Sequence, residues 1–362
     1  MNPLKQSVRL YSLDTFRGFT IAAMLLVNTA SLSPSIHPWL AHSYWNGCTL
    51  ADLVFPFFLF ITGVAMAFSL SKYSQGNRPT RALYWRLLRR SIVLFALGLI
   101  VNGFWTYEWG TFQISGVLQR ISLAYLSTAL IVLNLPRKAQ WVITILLLII
   151  YWLAYIAFPI PEPISGTADL ARSEVGTFGI MSWFGMLTTI AIVLMGYFTG
   201  AWLQTETVDK KLYTSSQSMT LVLFGCSSIV LGQLWSLWLP INKKLWTGSY
   251  VLFTVGLALL LLSICYEVIE VRRKRRWSYP VHVLGLNSIF VFVASELVIK
   301  LLEGTHIGTE SNAPSSYKWL DEHMFLSLSG TELAGFLFAF VTLLLWWLVA
   351  YWLYQKRWLI RV

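Results

Sequence analysis

Apolar runs of about twenty residues, separated by short polar stretches, recur along the whole chain. A helix that crosses a bilayer needs about 20 mostly apolar residues. On that measure ten spans are expected, near residues 13–33, 50–70, 84–104, 114–135, 140–158, 180–202, 219–239, 246–270, 279–302 and 332–354. Little sequence is left over for a soluble domain, and there is no long linker or low-complexity tract. The pattern therefore predicts an all-α integral membrane protein, a single bundle of about ten transmembrane helices forming one polytopic domain over residues 1–362.

Composition agrees. The chain is 56% hydrophobic and 12% charged, against roughly 25% charged residues in soluble domains. If each span switches sides, one side receives Lys5, Arg9 and Arg17, the cluster from Lys72 to Arg90, Arg137 and Lys138, Lys210 and Lys211, the run Arg272 to Arg276, and Lys356, Arg357 and Arg361. The other side receives only Arg172, Lys243, Lys244 and Lys318, with Arg120 and Lys300 inside spans. Cytoplasmic loops carry the Lys/Arg excess, so the first side is expected to be cytoplasmic, with both termini inside. The net charge of +11 then reflects topology and needs no nucleic acid partner. Asp14 and Arg17 sit just before the first apolar core, and further spans follow, so the N-terminal segment reads as an uncleaved helix. Cys48, Cys226 and Cys265 are scattered, without a disulfide framework or metal-ligand spacing.

Polar residues inside or beside spans are costly and mark functional candidates. They gather on the outer side. Asn28 lies near the outer end of the first span, His42 in the loop that follows, and Asp52 in the first turn of the second span. Arg120 is placed about 9 Å into the fourth span, and Glu296 at similar depth on the ninth. Lys243 and Lys244 form a basic pair on the same side. Each has a structural alternative. Asp52 follows Thr49 by three, close to a capping box, a role compatible with chemistry. Glu296 and Lys300 are four apart and suit an intrahelical ion pair equally. Arg120 also reads as charge balance for Asp52 or Glu296, and Asn28 as an interhelical hydrogen-bond residue. Pro56 is expected to kink the second span and free a carbonyl that needs a partner.

His42 lies among Trp39, Tyr44 and Trp45, between two spans with polar ends. An imidazole takes and returns a proton near neutral pH, which makes His42 the best general base or acyl-accepting nucleophile in the chain. Cys48 is an alternative nucleophile with nothing nearby to promote its thiolate. On the inner side, RPTRALYWRLLRR puts Arg86, Arg89 and Arg90 on roughly one helical face. Topology and contact with anionic membrane lipids cover most of this; a phosphate clamp for an anionic donor is the alternative.

The segments LDTFRGFTIAAMLLVN, AHSYWNGCTLADLVFPFFLFITG, GVLQRI, LPINKKLWTGSYV and GLNSIFVF resemble, in order, the transmembrane catalytic region of the heparan-α-glucosaminide N-acetyltransferase family and its bacterial relatives. The resemblance implies acetyl transfer from cytoplasmic acetyl-CoA, as co-substrate and without a metal, to the amino group of a glucosamine-type acceptor across a bacterial inner membrane. It places the active-site histidine at His42 and the catalytic asparagine at Asn28, and it suggests a homodimer. Asp52, Trp45, Asn46, Arg120, Glu296, Lys243 and Lys244 are the expected acceptor-side residues, with Trp45 stacking on the sugar. Arg17, Arg86, Arg89 and Arg90 are expected to hold the CoA phosphates. An O-acyltransferase of a surface glycan or lipid shares this logic, and a transporter is a further alternative, although the halves of the chain show no matching repeat.

Overall fold

The computed structural model describes residues 10–31, 40–74, 78–103, 116–158, 177–209, 213–308, 313–326 and 333–360. Twelve α-helices fall within them: α1 (Tyr11–Ala30), α2 (Leu50–Ser74), α3 (Arg81–Gly103), α4 (Val117–Asn134), α5 (Arg137–Ala157), α6 (Thr177–Leu203), α7 (Ser215–Trp235), α8 (Gly248–Tyr266), α9 (Tyr279–Leu286), α10 (Ser288–Gly304), α11 (Ser316–Leu320) and α12 (Ala334–Gln355). Short π-helical turns extend α6, α8 and α11. The described residues form an all-α bundle with only isolated β-bridges.

Every expected span coincides with a helix, but the count of membrane-crossing helices is lower than ten. Among the described residues seven helices are long and apolar enough to cross a membrane, or eight if the bent pair α9–α10 is one span. The two that fall short are α1 and α3. α1 carries Ser12, Asp14, Thr15, Thr20 and Thr29, all buried against neighbouring helices. A helix surrounded by protein need not be apolar all round; only lipid-facing surface must be. α3 opens with Arg81, Arg86, Arg89 and Arg90, which belong at a polar end of the bundle. The ninth expected span breaks at Asn287, where α9 and α10 meet at 79°.

α1 sits at the centre, touching α2, α8, α9, α10 and α12. Its contact with α9 depends on Gly18: a β-carbon there would stand 1.8 Å from the Val281 carbonyl oxygen, so no larger residue fits without separating the helices. α2 packs along α6, and α7 along α8. The outer faces of α5, α7 and α12 present Ile145, Leu153, Leu223, Leu231, Leu345 and Leu348, the surface a lipid tail prefers. Trp183 is exposed, as suits an aromatic anchor at a membrane interface.

Candidate active site

The loop before α2 and the loop before α8 are stitched together. Gly47 N–H donates to the Ile241 carbonyl at 2.8 Å, and Asn242 donates its side-chain amide to Asn46 at 3.1 Å. Gly47 adopts φ +108°, a conformation open to glycine and strained for other residues. Trp246 turns its own loop at φ +59°. Asn242 also accepts from Leu245 N–H, so the two segments HSYWNG and LPINKKLWTG form one unit.

Asp52 is fully buried at the centre of that unit. Its Oδ2 accepts from Thr49 N–H at 3.0 Å, Thr49 Oγ1 at 3.0 Å and Ser43 N–H at 3.1 Å. Its Oδ1 faces His42 Nδ1 at 2.8 Å and Lys243 Nζ at 3.3 Å. One oxygen caps α2 and the other serves the histidine, so the capping and chemical readings divide between two atoms of one side chain. Below the carboxylate, Pro56 lacks the N–H that would bond to the Asp52 carbonyl four residues earlier. Tyr250 of α8 donates its hydroxyl to that carbonyl at 2.6 Å.

Lys243 Nζ also stands 3.1 Å from His42 Nδ1. Nδ1 either carries a proton for Asp52 or offers a lone pair to Lys243, never both. With Nδ1–H donated to Asp52, the other ring nitrogen, Nε2, is left as a base, and the half-exposed ring leaves it within reach of an acceptor. Burial pushes the Lys243 ammonium below its ordinary range, with Asp52 opposing that shift. Burial, then the Asp52 charge, pushes the neighbouring Cys48 thiol up to about 12, so Cys48 stays protonated and a poor nucleophile.

A second pair lies on α1 and α10. Asn28 donates its amide to Glu296 at 2.5 Å, and Lys300 pairs with Glu303 at 3.4 Å. Glu296 therefore makes a contact across helices, with Lys300 as a charge beside it. Asn28 and His42 share no hydrogen bond among the described residues; the segment 32–39 between them, with His37 and both Pro34 and Pro38, lies outside the description.

The remaining acceptor-side candidates separate. Arg120 is buried, donates to Ser182 at 3.0 Å and lies over the Trp246 ring; it pairs with neither Asp52 nor Glu296. Trp45 is 7% exposed, packed with Tyr151, Met181, Leu239 and Leu245. A ring so covered has no open face for a sugar, and its place is as a wall that holds the loop. Lys244 lies over Tyr44 and Trp45. Sequence reasoning passed over Asn242 and Tyr250. The signal for Tyr250 was Pro56, whose orphaned carbonyl demanded a donor.

At the opposite end of α1 a basic cavity of about 670 Å³ is lined by Arg17, Lys72, Arg86 and Arg90, with Asp14, Tyr125, Ser288 and Ile360. Arg86 and Arg90 also line an adjoining cavity of about 630 Å³, which Arg89 joins. Arg90 lies over Tyr125, and its buried Nε has no partner among the described residues, a donor fit for an anion. Among the described residues no three His, Cys, Asp or Glu side chains converge on one point.

A family model described as heparan-alpha-glucosaminide N-acetyltransferase, catalytic, matches residues 9–240. The chain belongs to the heparan-alpha-glucosaminide N-acetyltransferase family. It is 26% identical to the heparan-alpha-glucosaminide N-acetyltransferase of Mus musculus over 96% of its length, and 26% identical to that of Homo sapiens over 96%. The chain spans 60% and 59% of those two relatives. The family match takes in Asn28, His42 and Asp52 and stops at residue 240, just before Lys243. Both relatives are named as N-acetyltransferases.

Proposed function

We propose that this protein moves an acetyl group from cytoplasmic acetyl-CoA to the amino group of a glucosamine-type sugar on the far side of a bacterial inner membrane. The observation that carries the reading is the placement of two sites at the two ends of one helix. α1 lines the basic cavity with Arg17 and carries Asn28 at its other end. Eleven residues of helix separate them, about 17 Å at 1.5 Å per residue, a span an extended pantetheine arm bridges. The cavity gathers three of the four expected arginines, and Arg89 borders it. Guanidinium forks suit phosphate oxygens, and the excess of Lys and Arg at that end supports a cytoplasmic position.

The donor supplies a thioester carbonyl when bound. His42, held by Asp52, takes a proton at Nε2 from the acceptor amine as it attacks the thioester and returns it to the CoA thiolate that leaves. Alternatively, Nε2 accepts the acetyl group with release of that thiolate before passing it to the amine. Asn28 keeps one amide hydrogen on Glu296 and has a second to donate to a developing oxyanion, a contribution of about 3–4 kcal/mol where such donors have been removed. Lys243 offsets the buried Asp52 charge, and the names of the two relatives supply the amino-sugar acceptor.

The test is CoA release by detergent-purified protein given acetyl-CoA with and without glucosamine, for wild type and His42→Ala. Glucosamine-dependent release that disappears in the variant is expected. Release that persists in His42→Ala would show that the histidine is not the reacting group, and release with hydroxyl sugars alone would move the acceptor to an O-acylated glycan.

A further inference from the structure

The segment GLNSIFVF places Asn287 at the break between α9 and α10, and Asn287 holds no helical capping bond of its own side chain. The side chain is buried and instead grips the backbone that follows α12. Its Nδ2 donates to the Trp358 carbonyl at 3.1 Å, and its Oδ1 accepts from Ile360 N–H at 2.9 Å. One amide thus pairs with alternate residues of an extended stretch, as a neighbouring strand would. Just before that stretch the chain leaves α12 through Arg357 at φ +57°, and Trp358 packs edge-on against Trp352. The turn and the tryptophan direct residues 358–360 back across the end of the bundle.

The last residue of that stretch, Ile360, borders the basic cavity. Ile360 lines it from one side and Leu286, Ser288 and Ile289, the residues flanking Asn287, line it beside Ile360. Arg17 of α1 and Arg86 of α3 face them across the same space. This part of the wall is therefore made of Ile360 and the broken helix on either side of Asn287, with the buried amide behind it holding Ile360 in place. Two hydrogen bonds and one aromatic contact keep Ile360 in place.

We propose that Asn287 is a positioning residue for the donor: by holding residues 358–360 it fixes Ile360 as part of the wall of the basic cavity that the nucleotide end of an acyl-CoA rests against. The inference builds on the reading of that cavity as the donor site. The pantetheine and acyl portions extend away from this wall towards Asn28, so the tail selects for the nucleotide and leaves the acyl transfer untouched.

The experiment compares two donors, acetyl-CoA and S-acetyl-pantetheine, which lacks the nucleotide, on purified full-length protein. Asn287→Ala releases both tail bonds, and Ile360→Ala trims the wall at a partly exposed position while leaving the amide bonds in place. Each is expected to raise KM for acetyl-CoA by about tenfold, the worth of roughly 1.4 kcal/mol, with kcat unchanged and KM for S-acetyl-pantetheine unchanged. Asn287→Asp, which keeps the acceptor for Ile360 N–H and loses the donor for Trp358, is expected to fall between. KM values that stay at wild type in both alanine variants, or that rise equally for the two donors, overturn the inference. Arg86→Ala and Arg90→Ala separate the two levels. If they raise KM for acetyl-CoA while the tail variants do not, the cavity is the donor site and the tail has no part in it. If they too leave KM unchanged, the donor reading of the cavity falls, and the role of Asn287 with it.

Discussion

Tyr250 donates its hydroxyl to the backbone carbonyl of Asp52 at 2.6 Å, across 198 residues of sequence. That carbonyl has no helical partner because Pro56 supplies no N–H. A kink in α2 thereby becomes a fixed joint between α2 and α8, and the joint lies directly beneath the carboxylate that orients His42. An unpaired buried carbonyl costs about 1–3 kcal/mol. Tyr250→Phe keeps the ring and removes only the donor. It is expected to lower thermal stability by that amount and to reduce kcat as Asp52 loses its fixed position. A variant with wild-type melting temperature and rate would mean that the carbonyl finds another donor.

The two oxygens of Asp52 can be tested apart. Asp52→Asn retains an acceptor for the cap of α2 but disturbs the bond that sets the His42 tautomer. We expect kcat to fall by about 10²–10⁴-fold, the range for a general base that is lost or misoriented, with a small change in stability. Thr49→Ala removes a hydroxyl donated to Oδ2 and leaves Oδ1 alone; it is expected to cost about 1 kcal/mol of stability with kcat little altered. Equal loss of rate in both variants would show that the cap and the histidine bond are not separable.

In the proposed reaction Asn28 is the oxyanion donor and Glu296, which accepts its other amide hydrogen, its support. Asn28→Ala is expected to lower kcat by about 10²–10³-fold, as for loss of one oxyanion donor, with KM for either substrate nearly constant. Glu296→Gln keeps an acceptor oxygen for the Asn28 amide and is expected to be milder than Glu296→Ala. Single-turnover rates distinguish these outcomes from effects on binding or product release. A Glu296→Ala enzyme as fast as wild type would show that Asn28 needs no support.

Cys48 offers a pH test with a defined sign. Its folded-state pKa is raised from 9.0 to about 12 by burial and then by Asp52. Between those values the folded chain keeps a proton that an unfolded chain has lost, so this contribution to stability is full below pH 9 and disappears as pH rises through about 12. Alkylation of Cys48 in folded protein is therefore expected to show no acceleration as pH passes through 9, where a free thiol ionises. Cys48→Ser is expected to retain activity. Rapid alkylation at pH 9 would refute the shift, and loss of turnover in the serine variant would return the thiol to the list of nucleophiles.

Several parts of this arrangement were legible along the chain. The helices fall where the apolar runs predict them, because burying about twenty apolar residues in one stretch is a local property of the sequence. The Thr49–Asp52 cap was readable for the same reason: three residues of spacing fix it. His42 stood out by its position between two polar span ends. The count of spans was not legible to the same degree, since α1 is wrapped in protein and tolerates Asp14 and Arg17, whereas a lipid-facing helix would not.

The sequence by itself determined the fold class, the placement of helices, the family and the types of residue available for chemistry. The tertiary structure decided who meets whom. It gave Asn28 to Glu296 over 268 positions and paired Lys300 with Glu303. It brought Lys243 to Asp52 and His42, where the sequence suggested an acceptor-side member of a basic pair, and it closed Trp45 into a packed wall. It also joined Arg17 to Arg86 and Arg90 around one cavity. The reason is physical: a helix or a cap is settled by neighbours within a few residues, whereas a contact between helices depends on how each is rotated and how closely it can approach. Residues such as Gly18 and Pro56 set that approach, and their consequences appear only when the partner helices are in place.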